Sequence, residues 1–88
     1  MTGVEWKEFK DYVASVMPDD GSDEYRIRRK RGKVVFLMNA RLRQGISITF
    51  CQGHHDVAMT FSPEVSFAYI KGWFDGALSS LEYQYGRE

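Results

Sequence analysis

Cysteine is almost missing from this chain: Cys51 stands alone among 88 residues. That excludes an intramolecular disulfide framework and favours a reducing compartment. Proline occurs only at Pro18 and Pro63, so there is no proline-rich linker. Net charge is missing too. Twelve Lys and Arg balance twelve Asp and Glu, which argues against a wholly basic nucleic-acid coat and against an extended, self-repelling chain. No apolar run approaches the roughly 18–20 residues of a membrane-spanning helix. The opening residues, Met1 to Trp6, lack the charged start and apolar stretch of a secretory signal, so the expected location is cytoplasmic. Catalytic signatures are also absent. There is no Walker loop, no G-x-G-x-x-G, no EF-hand spacing in the acidic run from Asp19 to Glu24, and no placed pair of carboxylates. The expectation is a non-enzymatic protein that needs no cofactor.

What is present is a clear change of period. Thr2 and Glu5 fit a capping box, and Trp6, Phe9, Val13, Val16 and Met17 recur at helical spacing until Pro18. Asp19 to Asp23 reads as an acidic loop. From Glu24 to Phe61 the period falls to two. Tyr25 and Ile27, then Val34, Phe36, Met38, Ala40 and Leu42, then Ile46, Ile48 and Phe50, then Val57, Met59 and Phe61 take one side of four strands. Turns fall at Arg31-Gly32, at Arg43-Gln44-Gly45 with Gly45 left-handed, and at Gln52 to His55. These turns predict that Ile27 pairs with Phe36, Tyr25 with Met38, Met38 with Phe50, Ala40 with Ile48, Phe50 with Val57 and Ile48 with Met59. All large apolar residues then share one face. Ser62, Pro63 and Glu64 read as a helix start. A second helix is predicted from Pro63 to about Tyr83, burying Phe67, Ile70, Phe74, Leu78 (or Ala77) and Leu81, with Gly86 in the tail. Residues 1–88 are therefore expected to form one α+β domain of order α-β-β-β-β-α. It has two layers, with a four-stranded antiparallel meander and both helices on one face.

The charge is segregated although it cancels. Eight of the twelve basic residues lie between Arg26 and Arg43: Arg26, Arg28, Arg29, Lys30, Arg31, Lys33, Arg41 and Arg43. On the face opposite the helices the alternation leaves Arg26, Arg28, Val35, Leu37, Asn39, Arg41, Ser47, Thr49, Cys51, Asp56, Ala58 and Thr60. Arg29, Lys30, Arg31 and Lys33 are assigned to the first hairpin tip. Val35 and Leu37 inside a basic rim suit an acidic protein surface. The same arginines suit phosphates, which makes RNA or DNA binding the rival reading. The face holds no aromatic residue on which a base could stack.

Two smaller signals stand apart. Ala68, Gly72, Gly76 and Ser80 recur every four residues, with Tyr69, Trp73 and Tyr83 alongside. The plainer reading is close packing on the first helix or the sheet; the sharper one is a homodimer seam. Cys51, His54, His55 and Asp56 cluster at one turn and are metal-ligand and nucleophile types. With no further Cys or His in the chain a zinc site is incomplete, and no orienting acid beyond Asp56 completes a thiol enzyme. In scale and layout the chain is similar to small accessory proteins of phages and mobile elements. That resemblance implies an interaction or inhibitor module.

Overall fold

The computed structural model describes residues 1–17, 26–31, 34–41, 43–53 and 55–81. Pro18, the acidic run through Glu24, Tyr25, Gly32, Lys33, Leu42, His54, and the tail from Glu82 with Tyr83 and Gly86 lie outside the described residues.

Helix α1, Gly3–Val16, starts on the expected capping box. Thr2 Oγ1 accepts the Glu5 N–H at 3.1 Å, and Glu5 Oε1 accepts the Thr2 N–H at 3.1 Å. Trp6, Phe9, Val13 and Met17 follow on its buried side. Four strands come next: β1 Arg26–Arg31, β2 Val34–Arg41, β3 Gly45–Gln52 and β4 His55–Phe61. They form an antiparallel sheet in the order β1-β2-β3-β4, the meander the alternation requires. Helix α2, Phe67–Leu81, closes the α+β fold.

The register differs from expectation in two ladders and agrees in the third. Ile27 pairs with Met38, and Arg29 takes the place opposite Phe36. Phe36 pairs with Phe50 and Met38 with Ile48. Phe50 pairs with Val57 and Ile48 with Met59, as the sequence predicts. Both differences are shifts of two residues. A shift of two keeps every side chain on its own face, so the apolar pattern is blind to it. The turns decide instead. The first ladder extends to Arg31 opposite Val34. In the second, Gly45 lies inside the ladder opposite Arg41, and the Gln44 N–H closes the turn on the Arg41 carbonyl at 2.7 Å. Gly45 has φ +131°, outside the left-handed helical region expected for it.

The second helix starts four residues late. The Val65 N–H donates to the Ser62 carbonyl at 3.1 Å, so Ser62 to Val65 forms a β-turn with Pro63 where a fixed φ is welcome. Capping passes to Ser66, whose Oγ accepts the Tyr69 N–H at 3.2 Å. Glu5 adds to it: Oε2 accepts the Phe67 N–H at 3.0 Å. One carboxylate thus serves the first turns of both helices, and the amino terminus donates to the Pro63 carbonyl nearby. These hydrogen bonds, from Phe67 first and Thr2 next, hold the Glu5 carboxyl below its ordinary value of 4.5.

Both helices lie on the apolar face. Phe74 is the hub: its ring stands 5.8 Å from Phe9, 5.1 Å from Phe36 and 5.2 Å from Phe50, joining α1, α2 and the central strands. Ile70, Leu78 and Leu81 complete the buried stripe, while Phe67 and Ala77 are half-buried. A polar clasp flanks the hub. The Tyr12 hydroxyl donates to Asp75, Lys71 Nζ lies 3.0 Å from the other oxygen of that carboxylate, and the same ammonium sits 4.5 Å over the Tyr12 ring. Burial, then Asp75, pushes the Tyr12 hydroxyl's pKa up.

A Cβ at Gly45 would lie 2.7 Å from the Phe61 carbonyl oxygen, on a backbone that L-residues rarely adopt. Gly45→Ala is expected to lower unfolding stability by about 1–3 kcal/mol in urea titrations. Because the folded Glu5 pKa is depressed, its contribution is complete above pH 4.5 and is lost as pH falls through the lower folded value. The urea midpoint of the wild type should therefore drop more steeply than that of Glu5→Gln between about pH 5 and pH 3.

Candidate binding face

The ladders lay the uncovered side of the sheet out as rows. Arg26, Asn39, Ser47 and Thr60 make one, Arg28, Leu37, Thr49 and Ala58 the next, and Lys30, Val35, Cys51 and Asp56 the third. The columns matter as much. Along β1 the outward positions are all basic: Arg26, Arg28 and Lys30. Along β2 they are Val35, Leu37 and Asn39, followed by Arg41 at the strand end. Leu37 is 39% exposed, which is unusual for a leucine in a central strand, and Val35 is half-buried. A groove of about 560 Å³ runs between the two columns, with Arg26, Arg28, Val35, Leu37, Asn39 and Cys51 in its lining. A smaller hollow of about 250 Å³ lies at the β2–β3 turn, where Arg41, Gln44 and Ser47 meet. The Arg41 guanidinium reaches Gln44 Oε1 there at 3.5 Å.

Neither Arg29 nor Arg31 belongs to this face: Arg31 ends the ladder at the hairpin tip and is exposed, as expected, whereas Arg29, assigned to the same tip, is buried. They share the parity of Ile27, so the alternation turns them toward the helices. Arg29 is only 9% exposed, and its Nη1 points at the Met17 carbonyl at 3.4 Å. Arg31 Nη1 lies 3.4 Å from the Val16 carbonyl. Helix α1 has no basic residue in its last turn. The two arginines of β1 supply the positive charge that the carbonyl end of a helix favours. The parity of Ile27, Arg29 and Arg31 was visible in the sequence; their partner was not. Arg43 is exposed in the β2–β3 turn, and Lys33 lies outside the described residues.

The remaining candidates separate cleanly. Cys51 is half-buried in the groove and pairs across the ladder with Asp56. Burial, then the Asp56 charge, raises the thiol's pKa, the opposite of what an activated nucleophile needs. Among the described residues no three His, Cys, Asp or Glu side chains are placed to hold a metal ion. On α2 the small residues Ala68, Gly72, Gly76 and Ser80 are all exposed, and a Cβ added at Gly72 or Gly76 would meet nothing within 4 Å. Close packing on α1 or the sheet is thereby overturned. With Ile70, Phe74 and Leu78 turned to the core, the four-residue series falls on the outer side of the helix. Trp73 packs against Phe50 and Phe61, while Tyr69 touches Phe61 and remains 61% exposed. No described helix is long and apolar enough to cross a membrane.

The two roles of the basic segment predict opposite behaviour. Arg29→Ala should cost about 1–3 kcal/mol of stability, since it removes a buried, charge-assisted contact to a helix end. Arg28→Ala, one residue away, should stay within about 0.5 kcal/mol of wild type in the same urea titration.

Compared with known proteins, the chain matches no family model, no curated protein and no solved structure.

Proposed function

We propose that this protein is a small non-enzymatic interaction or inhibitor module that binds a negatively charged protein surface through the open face of its sheet. The observation that carries the reading is the register of β1 on β2. It sets Arg26, Arg28 and Lys30 in one column beside exposed Leu37 and half-buried Val35, and Arg26 and Arg28 line one groove with that apolar pair. Protein interfaces combine such features: an apolar centre that loses its water, and a charged rim that steers the approach and fixes the orientation. Charge alone would also suit nucleic acid, but Leu37 and Val35 would then gain nothing, and the described open face has no aromatic ring for a base to stack on.

The test separates the two terms. Affinity capture with the wild type is compared with Arg26→Ala/Arg28→Ala/Lys30→Ala and with Leu37→Asp, each checked for folding by circular dichroism. A protein partner lost with both variants is the expected result. Labelled RNA and duplex DNA are titrated in parallel between about 50 and 300 mM salt. Tight, log-linear salt-dependent binding that the triple variant loses and Leu37→Asp keeps would replace this reading with nucleic-acid binding.

A further inference from the structure

We propose that the groove between β1 and β2 accepts an acidic amphipathic helix from the partner protein; the inference rests on the reading of the open face given above. Backbone chemistry selects the form of the ligand. The groove lies on the face of the sheet, over β2, and β2 is hydrogen-bonded to β1 on one side and β3 on the other. A segment laid there finds no backbone donors or acceptors to pair with. An extended chain would bury its own peptide groups without partners, whereas a helix satisfies them internally.

Charge selects the sequence of the ligand. Arg26, Arg28 and Lys30 alternate along one strand, so their Cα atoms are about 6.7 Å apart in successive pairs. Carboxylates at positions i, i+4 and i+8 of a helix advance by about 6.0 Å each. A helix lying along β2 can therefore meet all three basic positions in turn, while its apolar side covers Leu37 and Val35. The opposite side of the groove sets a limit. Asp56 occupies the far end of the Lys30 row, so acids on the β4 side of the bound helix would be repelled. The fitting ligand carries its acids on one flank only. A second copy of this chain, stacked face to face, does not fit. Among the described residues the open face bears Arg26, Arg28, Lys30 and Arg41 against a single acid, Asp56, so two such faces repel.

Cys51 is the chain's single cysteine and lines this groove, which makes it a native reporter. The full chain is mixed with a synthetic peptide of about 18 residues, long enough for helix to form on binding. It carries glutamates at i, i+4 and i+8 and leucines on the adjoining face. Alkylation of Cys51 by iodoacetamide and anisotropy of the labelled peptide are followed together. The expected result is saturable binding that slows alkylation, weakened about tenfold or more by Arg28→Glu or by Leu37→Asp. A lysine-for-glutamate peptide should neither bind nor protect. Equal protection by a proline-interrupted peptide of the same composition would overturn the helical ligand and leave the binding face standing. Protection by an RNA oligonucleotide, with none from any peptide, would overturn both this inference and the protein-partner reading. Failure of both peptides, with protection by a captured partner, would overturn the acidic helix alone; protection by nothing would remove the face itself.

Discussion

Strict alternation in the four strands is the constraint from which the rest of this molecule follows. Side chains two apart on a strand share a face. Ile27, Val34, Phe36, Met38, Ile46, Ile48 and Phe50 are therefore committed together to one side, where they are buried. Water is expelled from that side by α1 and α2, locked through the Phe74 ring cluster. The same alternation commits Arg26, Arg28, Lys30, Val35 and Leu37 to the other side, where no described helix covers them. Core and candidate site are two consequences of one pattern.

Helix ends are handled by borrowing. The first turns of both helices share Glu5, and the carbonyl end of α1 draws on Arg29 and Arg31 from β1. Apart from the local bond to Thr2, each contact joins two different elements, so it satisfies orphan backbone groups and ties those elements together at once. It also divides the basic segment. Residues of one parity brace the fold, and residues of the other parity face outward, so neighbouring arginines with the same chemistry have unrelated roles.

A protein whose total charge cancels can still recognise charge, provided its ions are sorted by position. Here the sorting follows strand parity and strand order. The basic column sits at the β1 edge, the apolar pair beside it on β2, and the one described acid of the open face at the opposite edge. In the proposed binding mode such a gradient across the sheet would discriminate by orientation as well as by net charge. The exposed, uncharged outer side of α2, half-buried Val57 and exposed Met59 on β4 lie away from this gradient.

The two-layer architecture, the order of elements, the capping box and the identity of both sheet faces were legible in the sequence, because each rests on a short repeat or on residues three or four apart. Parity also put Arg26, Arg28, Val35 and Leu37 on one face. Tertiary structure decided what local periodicity cannot encode. A slip of two residues leaves every face unchanged, so the register of β1 on β2 and β2 on β3 depended on where each turn closes, down to the Gly45 backbone beside Phe61. Ser62 and Pro63 make an equally good turn or helix start by themselves; contacts from Met1 and Glu5 placed the start of α2 at Phe67. Arg29 looks like its neighbours until the end of α1, twelve residues earlier, arrives beside it. Contacts between distant segments carry no signature in either segment alone, and that is why only the folded chain revealed which arginines hold it together and which are left facing outward.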